Sequence, residues 1–182
     1  MCIRDRPYPF ATNLARFTYF QKENSFPNYV PFESQKWEVV MLSGLPGTGK
    51  DTYIQKYYKD WPIVSLDNIR RAHKISPKNT KANGKVLQIA KEMMKMHLRK
   101  QQPFVFNATN ILQQLRGNWI NLFTTYGATV KIVYLEVPYE RLMRQNQNRE
   151  HIVPIKVMEK MIQKLEVPSL VEAETVVYLT VN

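Results

Sequence analysis

The segment Gly44-Leu45-Pro46-Gly47-Thr48-Gly49-Lys50-Asp51 carries the most specific chemical signal in the chain. Its glycines let the backbone curl until several N–H groups converge on one point, and a helix opening at its end adds partial positive charge there. Such a nest takes phosphate, and the Lys50 ammonium is placed to reach the β- and γ-phosphates of a nucleotide. Gly44, Pro46, Gly47, Thr48, Gly49, Lys50, Asp51 and Thr52 form the expected nucleotide-binding set. One position departs from the usual pattern: the residue after the lysine is ordinarily Ser or Thr, whose hydroxyl ligates Mg²⁺, and here it is Asp51. A second departure answers it. The run Phe104-Val105-Phe106-Asn107 ends in an amide where such folds often carry an acid. We expect an exchange of roles, with Asp51 supplying the acidic contact to Mg²⁺, directly or through water, and Asn107 a neutral hydrogen-bonding partner behind it. The competing account leaves Mg²⁺ to water and phosphates, with Asp51 merely tolerated.

A second group lies some 20 residues on, in Ser65-Leu66-Asp67-Asn68-Ile69-Arg70-Arg71. Asp67 is expected at the carboxyl end of a strand, capping the next helix, with Arg70 one turn along the same face. A carboxylate there can take the proton of an attacking hydroxyl, and the arginine can grip an acceptor phosphate. The plainer account is a helix cap with a surface ion pair. Further on, Arg141, Arg144 and Arg149 precede Pro154, which opens another helix. Arginines so spaced suit a lid over a triphosphate, stabilising charge on the transferred group. A solvated basic helix is the alternative. His151 reads either as a packed or exposed neighbour or as a catalyst; His73 and His97 have no metal-ligand spacing, and the single cysteine, Cys2, makes a zinc site implausible.

These residues need a frame. Short β-rich runs at 38–43, 62–66, 103–106, 129–135 and 175–179 alternate with helix-compatible stretches near 50–59, 68–73, 83–101, 111–126, 138–149 and 154–165. Near-continuous apolar strands separated by helices predict an α/β fold with a parallel sheet covered on both faces. Val86, Ile89, Ala90, Met93 and His97 fall at helical spacing, and Met93, Met94 and Met96 read as core filler. Residues 1–36, rich in proline and aromatics, lack clear periodicity and are expected to be a loosely structured lead-in or the tail of an upstream domain. The opening MCIRDR is unlike the remainder of the chain.

The chain has 182 residues, 44% of them apolar, enough for one domain of ordinary size in residues 37–182. One cysteine excludes an internal disulfide, and no apolar run nears the roughly 18 residues that cross a bilayer. No membrane association and a cytoplasmic setting are the expectation; oligomeric state is not legible. Net charge is +11, and residues 68–131 hold twelve Lys and Arg against one acid, Glu92. An excess of that size favours a polyanionic partner.

Taken together, GLPGTGKDT, SLDNIRR, FNATN and RQNQNREHIVP resemble the 5′-hydroxyl polynucleotide kinase branch of P-loop phosphotransferases, an AAA-type ATPase/kinase-like module. The resemblance covers about residues 38–179. It implies a P-loop NTPase three-layer sandwich with a five-stranded parallel sheet ordered 2-3-1-4-5 and a helical lid. It implies transfer of the ATP γ-phosphate to a polynucleotide 5′-OH end, RNA or DNA, with Mg²⁺. It places Asp67 as general base, Arg70 on the acceptor phosphate, Lys50 on the donor, and Arg144 and Arg149 in the lid, with Arg141 as a third candidate there. Two further functions remain in view: a kinase of a nucleotide, sugar or nucleotide-sugar, similar to zeta-toxin-like proteins, and a nucleotide-binding regulatory module with weak catalysis.

Overall fold

The computed structural model describes residues 8–21, 26–32, 37–76, 79–149 and 151–180. The opening MCIRDR and Lys78 lie outside these residues. In chain order the elements are α1 (Asn13–Gln21), β1 (Glu38–Ser43), α2 (Lys50–Tyr57), β2 (Ile63–Ser65), α3 (Leu66–Ala72), α4 (Thr80–Arg99), β3 (Phe104–Asn107), α5 (Gln113–Thr125), β4 (Thr129–Glu136), α6 (Tyr139–Gln147), α7 (Ile155–Gln163) and β5 (Thr175–Thr180). Every expected strand and helix is present, with ends shifted by a few residues.

The five strands form one parallel sheet in the order β2-β3-β1-β4-β5, as the resemblance implies. Alternation along the strands divides the core. Val39, Met41, Phe104, Phe106, Val130 and Ile132 face one layer, where they meet Val86, Ala90, Met94 and Leu98 of α4 and Ile120 and Phe123 of α5. Val40, Leu42, Val105, Val133 and Leu135 face the other, against Ile54 of α2. Burial on both faces explains why these strands read as continuous apolar runs rather than alternating ones. A third cluster, Leu45, Ile111, Val137, Leu142 and Met158, seats α6 and α7 over the end of the sheet.

Three expectations are corrected. Residues 13–21 are helical rather than loose: Leu14 and Ala15 are buried and Phe17 packs on the α4–α5 layer. Met96 is 53% exposed, because its neighbours Met94 and Leu98 take the inward side of α4. Asp67 does not cap α3. Ser65 does, its hydroxyl accepting from the Asn68 amide at 3.3 Å, which leaves Asp67 in the first turn.

Candidate active site

β1, β3 and β2 are neighbours, and Ser65 stands in register with Asn107, so their carboxyl ends open on one edge of the sheet. Ligands of open α/β folds bind at that edge. The loop 44–49 leaves β1 there. Gly44 has φ +144, and a Cβ on it would lie 2.5 Å from the Leu135 carbonyl oxygen, so the loop sits hard against β4. Its amide donates to Thr109 O at 2.9 Å. Asn110 pins the strand end, donating to Leu42 O at 2.7 Å while its carbonyl accepts from Ser43 Oγ at 3.0 Å. Thr48 Oγ1 closes the turn on Leu45 O at 3.0 Å. Gly49, in the left-handed region, precedes α2 and offers no side-chain cap, so the first amides of α2 await an external acceptor.

Lys50 is buried, and its ammonium donates to Gly44 O at 2.9 Å and Leu45 O at 2.6 Å. Desolvation lowers its pKa from 10.5 to about 8. Asp51 opposes that shift, Arg149 adds to it, and Asp67 opposes it. Charges from α2, from α3 and from the segment after α6 thus act on a single group. Asp51 itself is exposed in the first turn of α2, and Asn107 Nδ2 donates to its Oδ1 at 2.7 Å. Thr52 is exposed beside it and Pro46 is half-buried.

On α3, Arg70 Nη1 meets Asp67 Oδ1 at 2.6 Å, and Arg70 Nε donates to Asn83 Oδ1 at 2.9 Å. The pair therefore exists as an ion pair, braced by α4. Arg149 is half-buried, and among the described residues its buried Nη1 has no hydrogen-bond partner, which suits an anion-binding group. Arg144 differs: it is exposed in the last turn of α6. Arg141 is half-buried on the same helix.

Three contributors escape a reading by sequence. With its amide nitrogen turned toward the loop, Gln145 donates to Gly47 O at 2.6 Å and accepts from Arg141 Nε at 3.3 Å. It ties α6 to the loop at the point where a Cβ on Gly47 would meet Leu142 and Asn146. Asn83, on α4, braces Arg70. Arg116, one of the twelve bases expected to favour a polyanion, is fully buried. It pairs with Glu172 at 2.7 and 3.0 Å and donates to Asn110 O and Glu166 O. Nothing in a Gln-Asn run or an isolated arginine signals these contacts.

Among the described residues no group of three His, Cys, Asp or Glu gathers at metal-binding distance. Asp51 with Asn107 behind it suits a hard cation that keeps most of its waters and takes phosphate oxygens, which is the habit of Mg²⁺ rather than of zinc. The spare Arg149 donor and the uncapped α2 amides suit the phosphates. His73 and His151 are exposed, and His97 contacts Gln102. Among the described residues no helix is long and apolar enough to cross a membrane.

Sheet order, glycine loop and buried lysine define a P-loop protein with the kinase fold. The AAA domain family AAA_33 matches residues 39–168, and the chain belongs to that family. A curated relative, L-seryl-tRNA(Sec) kinase of Methanococcus maripaludis, is 22% identical over 137 residues, 71% of this chain and 53% of the relative. The chain thus spans about half the length of that protein. Among solved structures, one chain of the Pnkp1/Rnl/Hen1 RNA repair complex superposes with a TM-score of 0.64 at 20% identity, covering 78% of this chain and 47% of that one. A gluconokinase of Sinorhizobium meliloti gives a TM-score of 0.57 at 16% identity, covering 80% and 84%.

Proposed function

We propose that the protein transfers the γ-phosphate of ATP to the 5′-OH end of a polynucleotide. The observation that carries this reading is positional. Asp67, paired to Arg70, stands in the first turn of α3 directly after β2, whose Ser65 is in register with Asn107, and Asn107 holds Asp51 beside Lys50, so the carboxylate and the phosphate cradle stand at the same end of the sheet.

The chemistry follows from the atoms. Lys50 Nζ exchanges the Gly44 and Leu45 carbonyls for β- and γ-phosphate oxygens. Asp67 Oδ1 stays with Arg70 and Oδ2 takes the proton of the acceptor hydroxyl, whose oxygen attacks the γ-phosphorus as ADP leaves. Arg70, held through Nη1 and Nε, presents its remaining edge to the acceptor's own phosphate. Arg149 fills its empty donor on the transferred group, and Arg144 joins it from α6. Asp51, oriented by the Asn107 amide, would hold Mg²⁺, which would supply charge neutralisation at the phosphates.

Two relatives support a nucleic-acid-borne acceptor: the RNA repair complex and the seryl-tRNA kinase, whose acceptor is carried on an RNA. A small-molecule acceptor is the second reading. It is favoured by the burial of Arg116, which removes one cation from any polyanion surface, and by the gluconokinase likeness. Labelled γ-phosphate offered with 5′-OH oligonucleotides, free nucleosides and sugars separates the two. Label on the oligonucleotide alone supports the proposal, and label on nucleosides or sugars alone supports the second reading. ATP binding without transfer to anything identifies a regulatory module.

A further inference from the structure

α6 ends in two consecutive amides that grip different parts of the chain. Gln145, turned toward the phosphate loop, donates to Gly47 O. Asn146 is 2% exposed and turns the other way. Its Nδ2 donates to Val153 O at 2.8 Å, and its Oδ1 accepts from the Val153 amide at 3.0 Å. Both side-chain atoms thus engage the backbone of one residue. Exchanging them would set oxygen against a carbonyl and nitrogen against an N–H, so one orientation of the amide alone fits. The Asn146 backbone carbonyl also accepts from the Arg149 amide, at 3.4 Å.

The far end of this clasp is anchored. Val153 packs on the cluster of Leu45, Leu142 and Met158, and Pro154 then opens α7, its carbonyl accepting from the Val157 and Met158 amides. Leu142 anchors α6 in the same cluster. The turn that carries Arg149 is therefore tied at both ends, with Asn146 as the cross-piece.

That turn stands beside the phosphate loop. A Cβ on Gly47 would lie 3.6 Å from Leu142 Cδ1 and 3.7 Å from Asn146 N, so the end of α6 lies against the loop. Arg149 follows three residues on, half-buried, and among the described residues its buried Nη1 has no hydrogen-bond partner. Its charge acts on the Lys50 ammonium. On an untied turn the long arginine side chain would have to be ordered each time a phosphate bound, at the expense of affinity.

We propose that Asn146 is a positioning residue: its paired hydrogen bonds to Val153 hold Arg149 beside the phosphate loop, where the guanidinium grips the terminal phosphate of a nucleoside triphosphate. The proposal rests on the reading of Arg149 as a partner of the transferred phosphate, and not on the identity of the acceptor. Asn146 itself touches no phosphate, and its effect passes through Arg149. A residue that only stabilised the fold would weaken the binding of every nucleotide alike.

The test needs no acceptor. Affinities of the whole chain for ADP and for the β,γ-imido analogue of ATP are measured by calorimetry at a fixed excess of Mg²⁺. Asn146→Ala is expected to lose about tenfold in affinity for the triphosphate analogue, the scale of one charge-assisted hydrogen bond, with ADP kept within about twofold. Asn146→Asp keeps the shape but sets an oxygen against Val153 O, and is expected to change in the same direction. It carries the comparison should Asn146→Ala fail to fold. Asn148→Ala, on the exposed neighbour, is expected to bind both nucleotides as the parent does. Arg149→Ala is expected to lose at least as much as Asn146→Ala, and combining the two to cost less than about twofold more.

Unchanged affinity for the analogue in the Asn146 variants overturns the proposal. Equal loss for ADP and the analogue overturns it by leaving Asn146 a purely structural part, and additive losses in the double variant overturn it by separating Asn146 from Arg149. If Arg149→Ala does not alter the ratio of the two affinities, the proposal falls together with the phosphate role of Arg149. If the expected pattern holds but no oligonucleotide is ever phosphorylated, Asn146 keeps its part and the 5′-end acceptor falls.

Discussion

Asn107 donates its side-chain amide to Asp51 Oδ1 across 2.7 Å, joining the end of β3 to the first turn of α2 one residue from Lys50. The acid stands on the loop helix, and an amide from the strand end hydrogen-bonds to it. If this pair contacts Mg²⁺, Asp51→Ala is expected to raise the Mg²⁺ concentration for half-maximal turnover roughly tenfold, and Asn107→Ala by a smaller factor. Turnover measured against Mg²⁺ checks both. An unchanged requirement in Asp51→Ala returns the metal to water and phosphates.

Burial gives Lys50 opposite effects on stability and on binding. Its pKa falls to about 8 in the fold, from 10.5, chiefly through desolvation, so the folded chain holds that proton more weakly than the unfolded chain does. Stability of the nucleotide-free protein is therefore expected to rise as pH climbs from about 8. ATP affinity is expected to fall over the same interval, because a triphosphate needs the ammonium. Desolvation raises Tyr53, Tyr58 and Tyr134, the last to about 12, so their ionisation reverses the gain in stability above about pH 10. Melting curves and ATP titrations at about pH 7 to 9.5 read both trends, and Lys50→Met is expected to remove the rise.

Gln145 joins α6 to the loop, donating to Gly47 O and accepting from Arg141 Nε. Gln145→Ala is expected to raise the KM for ATP roughly threefold to tenfold, the scale of one neutral hydrogen bond. Gln145→Glu is expected to be worse, since its carboxylate would face the Gly47 carbonyl. Steady-state kinetics with ATP varied make the comparison, and an effect confined to kcat would contradict a role in shaping the nucleotide site.

Arg116 and Glu172 are buried together, far apart in sequence, with two further carbonyls on the guanidinium. Glu172→Ala leaves that cation uncompensated and is expected to cost about 3–5 kcal/mol in urea unfolding. Arg116→Met combined with Glu172→Leu is expected to recover most of the loss, because the pair's desolvation cost goes with it.

The same pair marks where sequence stops being informative. The sheet was legible because β1, β3 and β4 are buried on both faces and so appear as unbroken apolar runs, and because the helices between them end near glycine, proline or polar breaks. The loop was legible because phosphate binding demands glycine at fixed spacing. The Asp51–Asn107 contact followed from two departures that compensate each other. Contacts between distant residues were not legible. Arg116 carries the same charge whether it meets solvent or Glu172, and Gln145 and Asn83 are ordinary amides until α6 and α4 bring them to Gly47 and Arg70. α1 was missed because Leu14, Ala15 and Phe17 mark a short inward face in a segment otherwise crowded with aromatics.

The most direct measurement tracks the label. Radiolabelled γ-phosphate is offered with a 5′-OH oligonucleotide, the product is digested to single nucleotides, and the labelled position is located for the parent chain and for Asp67→Asn. Label is expected on the 5′-terminal nucleotide alone. Asp67→Asn is expected to lose about 10²–10⁴-fold in kcat, with ATP affinity largely kept. Label on any other position, or equal loss of turnover and of ATP binding in the variant, would contradict transfer to a 5′ end with Asp67 as the base.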